Sequence, residues 1–432
     1  MSASHRRSGS LLPLACLLAV ALTAAPPARA AAAAAPQRLS SLLARMHQAH
    51  LHSDWKQYRT ESAELVRFLN GSPDAVLELA RADARDGHSR AAMQQLTAIV
   101  QMGVSQAEVA SSPDFSSLRT RRAFRSMLHA MAVNTRSVSH SRRAFVIPDA
   151  GLLPEDLAYD PNKGEFLLTS VREARVVATA PGGRLSTFAR APDGWPMLAI
   201  RIDAPRRVLW ATEVALTGFR SVPQRDWGRS VILEYDLDTG RLRRRIEGPA
   251  ASQLGDMTLS PAGDLLVADS NKGGLYRLGR DGQRLVRLST NEFVSPMTPA
   301  FVSPHQVLVA DYVRGIALLD LGTGRAVWLP MAAKYALEGT DGLYWDQGRL
   351  IAIQNGFVPE RVVSFSLDAS HSRIATQMVI ESGTAGLDPS HGVIVAGSLY
   401  YIANSGWNEL ASDGSVKRGA TLTPAFIMRT RL

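Results

Sequence analysis

The chain is almost without cysteine. One of its 432 residues is a cysteine, Cys16, and it falls in an N-terminal stretch that reads as a cleaved leader. Arg6 and Arg7 open this stretch, Leu11 to Leu22 form an apolar core, and Ala28-Arg-Ala30 is a small-residue cleavage site. That is the layout of a secretory signal peptide over residues 1–30. The mature chain then has no disulfide, no thiolate metal site and no cysteine nucleophile. Long apolar runs are also missing. The Leu11–Leu22 run is too short for a membrane span, so the mature chain is expected to be periplasmic or secreted, with no transmembrane segment. Several catalytic signatures are absent as well. There is no Gly-x-Ser-x-Gly elbow, no His-Glu-x-x-His and no phosphate-binding Gly loop.

Acidic residues are scarce near the start. Residues 1–30 carry no Asp or Glu, so removing Arg6, Arg7 and Arg29 takes the formal charge from +9 to +6. A basic chain can attract nucleic acid or an anionic surface. Here the arginines are scattered, and the densest clusters, Arg241 to Arg245 and Arg136 to Arg143, read as a strand edge and a linker. No basic stripe interleaved with aromatics occurs, and no nucleic-acid partner is expected.

What is present is a repeat. Short apolar strands closed by Asp or Ser recur: Glu155-Asp-Leu-Ala-Tyr-Asp160, Thr298-Pro-Ala-Phe-Val-Ser303 and Asp341-Gly-Leu-Tyr-Trp-Asp346. Each is followed by a second strand, as in Leu209-Trp-Ala-Thr212, Leu266-Val-Ala-Asp269 and Leu308-Val-Ala-Asp311. Six such units, mostly 40–50 residues apart, predict a six-bladed β-propeller over residues 145–432. The segment around Phe145-Val-Ile147 and the last strand, Ala425 to Leu432, are suited to closing the ring, which removes exposed sheet edges. The fold class expected is mainly β, with a small all-α domain before the propeller.

That α domain is expected over residues 31–132, followed by a polar linker over 133–144. Leu39, Leu42, Leu43 and Met46 recur at helical spacing. Ser72-Pro-Asp74 starts a helix, Asp86-Gly87 turns, and a second helix follows to Met102-Gly103. This hairpin resembles a tetratricopeptide repeat, with Ala80, Gly87 and Ala92 at the small-residue positions and Asp83 and Ile99 departing from the pattern. The resemblance implies a surface for a protein partner; the helices serve equally well as a structural cap.

One phase of the propeller repeat carries the chemistry. Counting back five from each strand-closing residue gives Glu155, Leu198, Gly255, Thr298 and Asp341, and the parallel between Thr340-Asp-Gly342 and Ser390-His-Gly392 adds His391. The second strands return Thr169, Thr212, Asp269, Asp311, Asn355 and Asn404 to the same mouth. Carboxylates and amides with one histidine suit a hard or borderline divalent cation. Taken singly, Asp269, Asp311, Asn355 and Asn404 also fit as caps of strand ends and turns.

Residues 145–432 resemble the senescence marker protein, gluconolactonase and luciferin-regenerating enzyme-like propellers, best in blades one, three and five. The resemblance implies a divalent metal, Ca²⁺ or Zn²⁺, at the channel mouth. Glu155 and Asp341-Gly342 match two family ligands. The third, an Asn, falls on Gly255, with Asp256 one place along and His391 as a possible replacement. The family's Asn-Asp-Gly has no counterpart. The implied activity is lactone or ester hydrolysis, with Asp341, Asp269 and Asp311 as candidate catalytic groups. Trp195, Asn355, Asn404, Trp407 and Arg220 are candidate substrate contacts. An insertion from Leu216 to Ser230, containing Phe219, Arg220, Arg225 and Trp227, is expected to act as a lid. A non-enzymatic propeller that binds a ligand or peptide, with the helices recruiting a partner, is the competing expectation. Condensation or sugar oxidation on the same scaffold is a third.

Overall fold

The computed structural model describes residues 34–288, 292–331 and 334–432. The expected leader lies outside the described residues. No helix among them is long and apolar enough to cross a membrane.

The propeller is made of six separate antiparallel sheets. Blade 1 runs from Leu157–Asp160 to Ser186–Arg190 and blade 2 from Met197–Asp203 to Leu242–Glu247. Blade 3 covers Leu254–Leu259 to Val286–Arg287 and blade 4 covers Pro296–Ser303 to Ala326–Trp328. Blade 5 runs from Thr340–Asp346 to Ile374–Ser382, and blade 6 starts at Gly392–Val395. Each second strand lies between two neighbouring blades, so both of its faces are apolar. Every residue of Val208–Val214 is buried, for example. Ring closure uses both ends of the propeller sequence: Arg142–Val146 pairs with Phe426–Arg431 as the outer strand of blade 6.

The stretch 133–144, expected as a linker, is more ordered than its composition implies. Val133 and Asn134 end a helix, and Val138–Ser139 adds a fifth strand to the edge of blade 5. Unpaired backbone on an edge strand accepts a short extended segment of almost any sequence, so polarity did not reveal it.

Five α-helices precede the propeller in the described residues: α1 (Ala35–Leu51), α2 (Trp55–Phe68), α3 (Pro73–Arg85), α4 (Ser89–Gln101) and α5 (Arg122–Asn134). Ser72 caps α3 by accepting from the Ala75 amide, and Pro73 fills the first turn, where no amide hydrogen is needed. Ala80 and Ala92 are fully buried, and Gly87 takes φ +83° in the turn between α3 and α4.

The helices dock on one end of the propeller, over blades 4 and 5. The Arg314 guanidinium donates to the Phe68 carbonyl at 3.0 Å and stacks over the Phe68 and Trp328 rings. Arg361 donates to the Met102 carbonyl at 3.2 Å, and the Ser105 amide to the Val358 carbonyl at 2.7 Å. Val313, Ala336 and Phe357 join the helical cores. These propeller residues lie in loops that join second to third strands, or that enter the next blade. Antiparallel order puts all such loops at the end where the inner strands begin. The helices therefore share a face with the channel mouth.

Candidate metal centre at the channel mouth

The inner strands of blades 2 to 5 begin with register shifts: between Met197 and Ile200, Leu254 and Asp256, Pro296 and Pro299, and Thr340 and Gly342. Such bulges re-aim a side chain. Leu198, Gly255, Thr298 and Asp341, found by counting, all fall inside these shifts. Glu155 and His391 stand just before the inner strands of blades 1 and 6. The glycines that follow two of these residues are required by close packing. A Cβ on Gly342 would lie 2.8 Å from the Tyr344 hydroxyl, and one on Gly392 would lie 2.8 Å from the Tyr400 carbonyl oxygen.

Glu155, Asp341 and His391 come together, with one ligand atom from each within 4.8 Å of the others. His391 is fixed from both sides. Its Nδ1 lies 3.1 Å from the Glu155 carbonyl oxygen, which can only accept, so Nδ1 carries hydrogen. Its Nε2 then faces two carboxylates, Asp256 Oδ1 at 2.7 Å and Asp341 Oδ1 at 3.7 Å. Asp256 Oδ1 also accepts from Thr298 Oγ1 at 2.6 Å, so the residue beside Gly255 does turn into the channel. Asp341 is held through one oxygen: Asn355 Nδ2 donates to Oδ2 at 2.8 Å, and Tyr312 Oη holds the Asn355 carbonyl at 3.1 Å. Oδ1 of Asp341 is buried and has no hydrogen-bond partner. Glu155 Oε2 accepts from Trp407 Nε1.

Charge in this space is expensive, and the pKa values show it. Burial, then the neighbouring Asp341, pushes Glu155 up to about 8. Burial, with Asp256 adding to it against His391, raises Asp341 to about 6. Burial alone would lower His391, but the Asp341 and Asp256 carboxylates outweigh it and hold the imidazole well above its usual range.

The donor set fits a divalent cation. A buried carboxylate oxygen without a partner is costly unless something positive reaches it. An imidazole whose far nitrogen donates to a backbone carbonyl is oriented as metal-bound histidines are. One nitrogen beside two carboxylates suits zinc better than calcium, which takes oxygen ligands.

The other expected residues divide. Asn355 belongs to the network just described. Trp407 reaches it by its indole nitrogen and packs edge-on to Phe219 at 6.2 Å. Asp269 and Asp311 do not serve the mouth. Asp269 Oδ1 accepts the amides of Gln253, Asn271 and Lys272, and Asp311 accepts those of Val294, Ser295, Val313 and Arg314. Both are turn caps. Asn404 likewise bonds the Pro424 carbonyl and the Phe426 amide. Thr169 and Thr212 tie inner to second strands through the amides of Asp156 and Ala199. Trp195 is buried in the core shared by blades 1 and 2, with Arg229 over its ring, and is not a ligand platform. Arg220 pairs with Asp413 at 2.6 Å. It fastens the insertion, whose Phe219 lies against Gly414, to the 403–425 segment of blade 6.

Two channel residues were missed. Asp156 is fully buried, and its Oδ2 takes the Arg201 guanidinium at 2.5 Å and the Ile200 amide at 3.0 Å. Asp156 lies next to Glu155 inside the first motif, and only a count that allowed both faces of the strand would have found it. Glu360 and Asp388 were missed too. They share the Asn408 amide, and burial followed by Asp388 raises Glu360 to about 7.

No family model matches this chain, and no curated protein matches it. Solved structures do. The PQQ-bound aldose sugar dehydrogenase of Streptomyces coelicolor is 12% identical, with a TM-score of 0.48 over 68% of this chain and 98% of that one. A luciferin-regenerating enzyme is 14% identical, with a TM-score of 0.46 over 69% and 96%. Virginiamycin B lyase of Staphylococcus aureus is 12% identical, with a TM-score of 0.44 over 68% and 99%. The luciferin-regenerating enzyme expected from the motifs is thus among the similar structures. Likeness at this distance says nothing about the chemistry at this channel mouth.

Proposed function

We propose that the protein is an exported, divalent-metal-dependent hydrolase of the lactonase or esterase type, acting at the propeller mouth. The observation that carries this reading is the convergence of Glu155, Asp341 and His391 around Asp341 Oδ1, a buried oxygen without a hydrogen-bond partner. Zinc held by these three residues would polarise a lactone or ester carbonyl and acidify a bound water. Asn355 turns Asp341 so that Oδ1 stays free, and Trp407 holds Glu155 in place. Zinc would displace the Nε2 proton of His391, whose nitrogen lies 2.7 Å from Asp256 Oδ1. The insertion pinned by Arg220 and the 403–425 segment wall the mouth on the side of blade 1.

The test is hydrolysis of a panel of small lactones and esters by protein reconstituted with zinc. Turnover that Glu155→Gln/Asp341→Asn abolishes supports the reading. A folded, zinc-loaded protein without turnover on any of them refutes it.

One observation favours the non-enzymatic binding reading. Asp311 is committed to backbone amides through both oxygens and Asp269 through Oδ1, and the carboxylates next to His391 are Asp256 and Asp341. In that reading the mouth holds a cation or cationic ligand without turning it over.

A further inference from the structure

Seventeen arginines among the described residues lie within 4 Å of a carboxylate. Arg201, Arg207, Arg244 and Arg175 each face a carboxylate. One acid-free run of the chain contributes none of them. From Phe115 to Pro148 there is no Asp or Glu, yet there are seven arginines: 119, 121, 122, 125, 136, 142 and 143. All seven are exposed. Among the described residues none of them lies within 4 Å of a carboxylate. Arg119 and Arg125 bond main-chain carbonyls, and Arg143 covers the Phe426 ring.

The fold aligns them. Helix α5 buries Phe124, Met127 and Met131 against α4. Arg122, Arg125, His129 and Val133 recur at spacings of three and four, so they form one stripe on the opposite side, and Arg136 follows just past the helix end. The helical part of the stripe is about 17 Å long at helical rise. Its chain continues through the added edge strand of blade 5 into the outer strand of blade 6, which begins with Arg142 and Arg143. Two clusters that look separate in sequence, a helix start and a linker, thus follow each other along one stretch, a flank whose nearest carboxylate, Glu381, is buried and takes the Ser139 hydroxyl.

We propose that this flank docks the protein on an anionic phospholipid surface. The stripe is convex, so it makes no pocket for a small anion. It exposes no aromatic ring that could stack a base. Its exposed apolar residues, Val133 on the helix and Val146 on the outer strand, are too little for the buried centre of a protein interface. An extended plane of phosphates matches it, and arginine is the side chain that grips phosphate through paired donors. The chain has 43 arginines and 5 lysines, so the grip would rest on guanidinium groups.

The experiment is flotation of the full chain with vesicles of phosphatidylcholine alone and with phosphatidylglycerol added. Binding is expected only with the anionic lipid, weakening as salt rises. Each arginine near such a surface contributes about fivefold in affinity, so Arg122→Gln/Arg125→Gln/Arg136→Gln should weaken binding by about a hundredfold. These side chains are solvated, and a thermal melt confirms that the variant folds. Arg277→Gln, which removes an exposed arginine paired with Asp264, should change binding little. Failure to float with anionic vesicles overturns the proposal. So does equal loss in the two variants, which would indicate net charge alone. Tight capture of single-stranded DNA without vesicle binding would assign the flank to nucleic acid instead.

Discussion

His391 Nε2 lies 2.7 Å from Asp256 Oδ1, although the two residues are 135 positions apart and on different blades. The imidazole is a buried cation in this arrangement, and Asp256 is the nearer of its two counter-charges. Removing that counter-charge leaves a buried charge and strands the Thr298 hydroxyl. Asp256→Ala is therefore expected to lower unfolding stability by about 3–5 kcal/mol. A Thr298→Ala change removes one hydrogen bond and should cost about 1 kcal/mol. Denaturant titrations compare the two.

The glycine after His391 sets where the ring sits. Gly392→Ala would bring a Cβ to 2.8 Å from a backbone oxygen that cannot move aside. The expected result is a loss of about 1–3 kcal/mol from overpacking. Zinc affinity should fall at least about tenfold as the ligand shifts. Gly255→Ala is the control: its Cβ would meet only the Ser270 Oγ at 3.9 Å, and both readouts should stay near wild type.

A second buried acid pair joins the helices to the propeller. The Asp74 amide donates to Glu338 at 3.3 Å. Burial, with Glu78 and Glu108 adding to it, raises Asp74 to about 6, and burial, then the Asp74 charge, raises Glu338 well above its usual value. Acids whose folded pKa is raised favour the fold when protonated. Their stabilisation is complete below about pH 4 and is lost as pH rises through 6 and beyond. The pair should thus make the protein less stable at pH 8 than at pH 5. Glu338→Gln should raise the melting temperature at pH 8 by about 2 °C and leave it nearly unchanged at pH 5. Melting curves at the two pH values read this out.

Arg361 anchors the helical layer without a carboxylate partner. It is 2% exposed and held by Gln354 Oε1 and the carbonyls of Met102 and Ala336, with Phe357 under its guanidinium. Burial lowers its pKa to about 10. Arg361→Ala removes the donor to the Met102 carbonyl and to Gln354 Oε1 and opens a void, which should cost about 2–4 kcal/mol. The damage should be local. Limited proteolysis is expected to cut first in the segment from Met102 to Ser137, with the propeller still folded.

The propeller was legible because blades repeat. A fixed offset from each strand-closing residue found Glu155 and Asp341, the parallel of Ser390-His-Gly392 with Thr340-Asp-Gly342 found His391, and ring closure brings that phase to a common axis. The same counting misread Asp269 and Asp311. A carboxylate at the end of a second strand meets the amides of the loop entering its own blade first, and composition does not tell a cap from a ligand. Trp195 failed for a related reason: an aromatic near the mouth in sequence fills the wedge between two blades. The Asp156–Arg201 pair was hidden because its two halves sit on neighbouring blades at different strand depths. Residues 138–139 and 142–144 looked like linker because an edge strand needs backbone rather than pattern.

The central claim is that the three rim residues form a metal site, and zinc titration calorimetry on the mature protein tests it most directly. The account predicts one zinc per chain for the wild type and none for Glu155→Gln/Asp341→Asn with the fold intact. A folded wild type that takes up no zinc, or a double variant that binds it as the wild type does, would contradict it.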